Sequence, residues 1–226
     1  MSSDALEMEK RNAALASVRL LEDGMLVGLG TGSTVKYVIE ELGRKVKEGW
    51  NISCVPTSRS SENLAMEKGI EIIHNPGRKI DLDIDGADEV DSKGNLIKGG
   101  GGALTREKIV AFNSRKFCVI IDSSKYHPEG LGRFKLPVEV LPFMAESTAE
   151  AIASTGARVS FRGGGKFITD NGNKVLDCDF GIIKEPEKLE KKLKMIPGIV
   201  EVGLFCSMAD IIIMGNSEDS EVVFRK

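Results

Sequence analysis

The feature that most limits the possible folds is a change of rhythm partway along the chain. Up to about residue 122, short apolar runs alternate with stretches of helical periodicity. Segments 25–30, 52–57, 70–74, 80–85 and 117–122 read as strands. Segments 35–42, 61–68 and 105–113 read as helices, the first two stopping at Gly43 and Gly69. Strands separated by helices need crossover connections, which yield a mostly parallel sheet covered by helices on both faces. From about residue 136 the order becomes strand 135–141, helix 145–155, strands 157–162 and 173–179, helix 187–195 and strand 199–205. That βαββαβ order is the ferredoxin-like arrangement of a small α+β domain. Apolar runs at 210–214 and 221–224 then return to the first sheet. The expected fold is therefore α/β: a Rossmann-like, mostly parallel sheet from 1–132 and 206–226, with a small α+β domain, 133–205, inserted before its last strands.

Bulk chemistry narrows the partners. A net charge of −3 offers no general attraction to nucleic acid or to an anionic membrane. No run approaches the roughly 20 apolar residues of a spanning helix, and MSSDALEMEKRNAALASV reads as an amphipathic first helix rather than a signal peptide. Cys54, Cys118, Cys178 and Cys206 are far apart, with no CxxC pair. They suggest neither a disulfide framework nor zinc, and fit a reduced, cytoplasmic setting. The expected partner is a small molecule.

Three segments carry the chemistry. VGLGTGSTVKYV runs from a strand through a glycine turn into a helix. Its glycines allow a ligand close to the backbone, and Thr31, Gly32, Ser33 and Thr34 offer hydroxyls and N–H groups at a helix start. Ser33 stands where a dinucleotide fingerprint needs glycine, and the Gly-Lys-Ser/Thr ending of a P-loop is missing, so a smaller phosphorylated ligand fits better. A capped strand–helix turn without ligand accounts for this loop equally well. In IDLDIDGADEVD, Ile80, Leu82 and Ile84 alternate with Asp81, Asp83 and Asp85, giving one apolar and one carboxylate face. The match to a calcium loop fails at Ser92, where a bidentate Glu is required. Asp85 and Asp88, with slim Gly86 and Ala87 between them, end a parallel strand where such folds bind ligands. Glu89 and Asp91 read as a solvated acidic loop.

In LIKGGGGALTREKIVAF the run Gly99–Gly100–Gly101–Gly102 is costly in chain entropy unless the backbone must wrap a ligand. Lys98 supplies a cation at its edge, and Glu107 lies in the first turn of the next helix, where an acid favourable to the helix dipole is an alternative role. With only His74 and His127, neither in a metal-like motif, carboxylate-based proton transfer ranks above a metal-assisted hydride shift for aldose–ketose exchange. His74 reads as structural, at the end of an apolar strand.

GLGTGST (28–34), DGADE (85–89) and KGGGGALTREK (98–108), followed in order by LPVEV (136–140), TDNGN (169–173) and IPGIVEVGLF (196–205), resemble the type A ribose-5-phosphate isomerase family over nearly the whole chain. The resemblance implies interconversion of ribose 5-phosphate and ribulose 5-phosphate in the pentose phosphate pathway, without metal, nucleotide or other cofactor. It implies Glu107 as proton acceptor, Asp85 and Asp88 in ring opening and sugar binding, and Lys98 stabilising the negative intermediate. Substrate contacts are implied at Thr31–Thr34, Asp85–Asp88, Lys98–Gly101 and Lys125, and a homodimer or homotetramer as the assembly. SKYHPEGLG and Arg59 in PTSRSSENL depart from the family pattern. The rival expectations are a sugar-phosphate deaminase or CoA-transferase-like enzyme on a related sheet, and a non-catalytic sugar-phosphate sensor.

Overall fold

The computed structural model describes residues 3–226; Met1 and Ser2, which open the expected first helix, lie outside the described residues. In chain order the elements are α1 (Ser3–Val18), β1 (Leu26–Leu29), α2 (Ser33–Lys47), β2 (Ser53–Pro56), α3 (Arg59–Glu67), β3 (Glu71–Ile72) and β4 (Leu82–Gly86). There follow β5 (Glu89–Val90), β6 (Leu96–Ile97), α4 (Leu104–Phe112), β7 (Phe117–Asp122), β8 (Leu136–Val140), α5 (Ala145–Ala153) and β9 (Arg158–Phe161). The last are β10 (Lys174–Asp179), α6 (Pro186–Lys194), β11 (Ile199–Val202), β12 (Leu204–Phe205), β13 (Ile211–Gly215) and β14 (Ser220–Arg225). These form two units. One comprises 1–87, 106–126 and 208–226, and the other 88–105 and 127–207. The second thus takes in the β5–β6 segment and the glycine run as well as the α+β segment expected at 133–205.

The first unit holds a seven-stranded sheet ordered β14-β13-β7-β4-β1-β2-β3. Every neighbouring pair is parallel except β13–β14. Alternation along β1 sends Val27 and Leu29 into a core with Val38, Ile39 and Leu42 of α2 and Ala13, Ala14 and Val18 of α1. Leu26 points the other way, to Val55, Ile80 and Val110 of α4. Helices therefore cover both faces, as the strand–helix rhythm predicts. In β4 the alternation is as expected, with Leu82 and Ile84 in the first core. The carboxylate face is not solvated, however: Asp83 and Asp85 are wholly buried.

Some boundaries move for identifiable reasons. Helix α2 continues through Gly43 instead of stopping there. A Cβ at Gly43 would come 2.6 Å from Lys68 Cβ, so this glycine serves the close approach of Lys68, the residue that caps α3. The chain turns later, at Gly49 with φ 102°. The strand expected at 70–74 shrinks to two residues pairing with Ser53 and Cys54, and His74 is exposed beyond it, with Nε2 3.1 Å from Oε1 of Glu62.

In the second unit β8, β9, β10 and β11 form an antiparallel sheet ordered β11-β8-β10-β9. Its core gathers Leu136, Val138 and Val140 of β8, Leu176 and Cys178 of β10, Ala145 and Ile152 of α5 and Leu193 of α6. The opposite face of β8 carries Glu139, fully buried. It accepts from Thr169 Oγ1 at 2.9 Å, Asn173 Nδ2 at 2.8 Å, Asn171 Nδ2 at 3.2 Å and the Thr105 hydroxyl. LPVEV and TDNGN are therefore two halves of one buried hydrogen-bond network.

The strand expected at 199–205 breaks at Gly203, where a Cβ would lie 2.4 Å from Lys98 O and 2.8 Å from Pro137 O. Beyond the break, β12 leaves β8 and joins a second sheet, β12-β6-β5. This sheet overturns the reading of Glu89 and Asp91 as a solvated loop. Glu89 is wholly buried and accepts the N–H groups of Gly132 (2.9 Å), Arg133 (3.2 Å) and Phe134 (3.0 Å). Asp91 is buried in the β5–β6 turn, accepting from the N–H groups of Lys93 and Asn95 at 2.9 Å each. The role of Glu89 is hidden in the sequence because the amides it serves lie 43 to 45 positions away, whereas Asp91 serves its own turn.

Burial pushes the thiols of Cys54, Cys118 and Cys178 well above the ordinary range, Cys178 to about 12. Their reactive thiolate forms are therefore suppressed at neutral pH. Titration with a disulfide reagent at pH 8 is expected to label Cys206 alone in the folded chain and all four thiols after denaturation. Rapid labelling of two or more in the folded chain would contradict this burial.

Candidate active site

In the large sheet the strand order reverses between β1 and β4: the path runs outward through β2 and β3 on one side and through β7 and β13 on the other. Loops leaving adjacent strands on opposite sides of a parallel sheet open a crevice at their carboxyl ends. The expected glycine turn leaves β1 and the expected aspartate pair leaves β4 at this position. Gly30 N–H donates to Ile84 O at 3.0 Å, continuing the pairing one residue past the strand. Asp85 Oδ1 accepts from Thr31 N–H at 3.0 Å and from Gly86 N–H at 2.7 Å. A Cβ on Gly30 would sit 2.0 Å from that oxygen, so this position admits only glycine.

The Thr31 hydroxyl is turned inward, 2.8 Å from both Thr57 Oγ1 and Ser58 Oγ. Ser61 Oγ completes the group by donating to Gly30 O at 2.6 Å. Thr31 thus ties the turn to the start of α3, and the groups left facing outward are those of Gly32 and Ser33 at the start of α2, with Thr34 buried behind them. Gly32, at φ 124°, makes the turn into the helix. Sequence reading missed Thr57, Ser58 and Ser61. Ser58, as the residue whose side chain accepts from Ser61 N–H and caps α3, carried the available signal.

Glu107 lies in the first turn of α4 and is 3% exposed. A carboxylate withdrawn from water on a helix is held in one orientation, which suits a proton acceptor better than a surface acid serving only the helix dipole. Lys125 ends a single 3-10 turn, Ser123–Lys125, just past β7. Asp122 caps that turn by accepting from Ser124 N–H at 3.0 Å, and buried Glu9 of α1 accepts from Ser123 N–H at 2.9 Å and Ser123 Oγ at 2.7 Å. Glu9 had no signal in the sequence beyond its place in an amphipathic helix.

In the second unit, Asp88 follows directly on the aspartate strand, and its N–H donates to Ile97 O at 2.8 Å. Asp88 Oδ2 accepts from Gly100 N–H at 2.7 Å, and a Cβ on Gly100 would collide with this carboxylate at 2.4 Å. The glycine run therefore wraps one of the chain's own acidic side chains, a reason for glycine that sequence alone could not supply. Lys98 is 2% exposed, with Nζ 5.5 Å from the centre of the Phe205 ring. Behind Gly99 and Gly100 stands Arg162, from the end of the strand expected at 157–162. Among the described residues no group of three or more His, Cys, Asp or Glu side chains could hold a metal ion.

A doubly wound α/β sheet with a glycine turn and a buried aspartate at its strand-order reversal defines the class: a protein built to bind a small ligand at a topological switch point. Comparison with known proteins makes the class specific. The family model of ribose 5-phosphate isomerase A (phosphoriboisomerase A) matches residues 53–219, and the chain belongs to that family. It is 51% identical to a ribose-5-phosphate isomerase A of Thermoplasma volcanium over 96% of this chain and 91% of the relative. The structure of ribose 5-phosphate isomerase A from Methanocaldococcus jannaschii superposes with a TM-score of 0.91 at 37% identity, covering 100% of both chains. A D-ribose-5-phosphate isomerase structure in complex with phospho-erythronic acid gives a TM-score of 0.93 at 38% identity, again over 100% of both.

The contact between Gly30 and Asp85 yields a direct test. Gly30→Ala is expected to destabilise the fold by about 1–3 kcal/mol through overpacking, with a lower midpoint in urea unfolding. An unchanged midpoint would mean that Asp85 yields without cost.

Proposed function

We propose that the chain interconverts D-ribose 5-phosphate and D-ribulose 5-phosphate by proton transfer through an enediolate. Membership of the isomerase family over nearly the full chain carries this reading. The relative bound to phospho-erythronic acid supports it chemically, because an aldonate presents negative oxygen on a trigonal carbon as an enediolate does.

In this mechanism Asp85 and Asp88 hold the sugar hydroxyls and assist opening of the ring to the free aldehyde. Glu107 removes the proton from C2, and electrons shift onto the C1 oxygen to give the enediolate. The Lys98 cation offsets that charge, a proton passes from the C2 hydroxyl to the C1 oxygen, and returning the first proton from Glu107 to C1 yields the ketose. Of the Thr31–Thr34 turn, the outward-facing groups of Gly32 and Ser33 contact the substrate and its phosphate, with Gly86, Ala87, Gly99, Gly100, Gly101 and Lys125, while Thr31 and Thr34 brace the turn from behind. The burial of Glu107 and Lys98 supports these roles, since low-dielectric surroundings strengthen the interaction of a fixed charge with charge that develops nearby. The route needs no metal or nucleotide.

The setting we propose is the cytoplasm and the non-oxidative pentose phosphate pathway, with the chain working as a homodimer or homotetramer. None of the four cysteines is joined in a disulfide, which supports a reducing compartment. No helix among the described residues is long and apolar enough to cross a membrane.

Purified protein is expected to isomerise ribose 5-phosphate at an undiminished rate in EDTA, in preference to other pentose and hexose phosphates. In D2O, deuterium should enter at C2 of the aldose. Glu107→Gln should lower kcat by about 10²–10⁴-fold. Loss of activity on chelation would defeat the metal-free route, and a fully active Glu107→Gln would remove the base.

A further inference from the structure

The glycine run is held from behind by a group that the reaction does not itself call for. Arg162 Nη1 donates to Gly99 O at 2.8 Å and to Gly100 O at 2.9 Å. The rest of the guanidinium is fixed by Asp177, with Nη2 2.5 Å from Oδ1 and Nε 3.2 Å from Oδ2. Both side chains are mostly covered, at 15% and 23% exposed, and the guanidinium carbon lies 5.5 Å from the centre of the Phe167 ring. Phe167 closes on the run too, since a Cβ at Gly102 would meet its ring at 2.4 Å.

The consequence follows from peptide geometry. In a trans peptide the C=O and the next N–H point in opposite directions. Two successive carbonyls converge on one nitrogen of Arg162, so the two N–H groups of the same peptides point away from it. The first is that of Gly100, which donates to Asp88. The second is that of Gly101, an exposed residue whose N–H has no backbone acceptor among the described residues. Arg162 therefore turns Gly101 N–H to the side of the run that Asp88 occupies.

We propose that Arg162, locked by Asp177, is a positioning residue that aims the Gly101 N–H at an oxygen of the substrate, so that the amide shares the charge of the enediolate. This rests on the isomerase reading above. A lysine cannot replace the arginine, because a single ammonium cannot hold two carbonyls while making parallel bonds to a carboxylate.

The test is steady-state kinetics with ribose 5-phosphate on wild type, Arg162→Ala and Arg162→Lys, each with and without millimolar guanidinium, alongside circular dichroism. Both variants are expected to keep the wild-type spectrum and lose about 100-fold in kcat, with KM changed less than about threefold, because the amide meets charge that exists only as the reaction proceeds. Guanidinium should restore at least about tenfold to Arg162→Ala, leaving wild type and Arg162→Lys unchanged. Either of two results overturns the proposal: Arg162→Lys with wild-type kcat, or a folded Arg162→Ala whose loss guanidinium leaves untouched. Should Arg162→Ala fail to fold, Arg162→Lys decides alone. An inactive wild type would instead defeat the isomerase reading.

Discussion

The arrangement of the large sheet depends on one close contact, the carboxylate of Asp85 against the backbone of Gly30 and Thr31. With no side chain at Gly30, the end of β1 lies flush against β4, and the aspartate can accept the N–H of the residue that begins the turn. The contact fixes three things at once: the direction in which the chain leaves β1, the orientation of Asp85, and the inward turn of the Thr31 hydroxyl toward Thr57 and Ser58. A larger residue at position 30 would have to separate the strands at the point where their order reverses. The strand pairing of the sheet and the glycine turn that follows β1 are thus settled by the same few atoms.

Much of this is legible in the amino-acid sequence. Phe117–Asp122 falls where its apolar run places it, and the alternation of Ile80, Leu82 and Ile84 with aspartates correctly divides β4 between two faces. Periodicity survives in sequence because each strand or helix residue meets the core by a local rule. Residues whose partners are distant in the chain were illegible for the same reason. Glu89, Glu139 and Glu9 look like ordinary acids among other acids, yet each is buried and serves amides or hydroxyls some 30 to 114 positions away. Gly43 shows the converse failure. A glycine in a helical pattern reads as a stop, but here it is a packing notch.

The candidate residues divide similarly. Asp85, Asp88, Lys98 and Glu107 were marked by density of chemistry in a short stretch, and all but the half-buried Asp88 are almost wholly withdrawn from solvent. The support around them was invisible: the hydroxyls after β2, the arginine behind the glycine run and the acceptor network of Glu139. Four glycines in a row suggested a ligand. Their structure adds a second cause, that Asp88, Phe167 and Leu104 each occupy space a Cβ would need.

The interrupted path of the large sheet also bears on how the chain emerges from a ribosome. Strand β7 pairs with β13, whose first residue comes 89 positions after the end of β7. At about 5–20 residues per second, that leaves roughly 4–18 s in which β7 has been made and its partner has not. Throughout this interval an apolar strand that is buried at every position in the finished protein presents an open edge. The whole of segment 127–207 is synthesised while that edge waits. A nascent chain stalled before β13 would carry a nearly complete sheet with its stickiest border bare, a natural substrate for a chaperone.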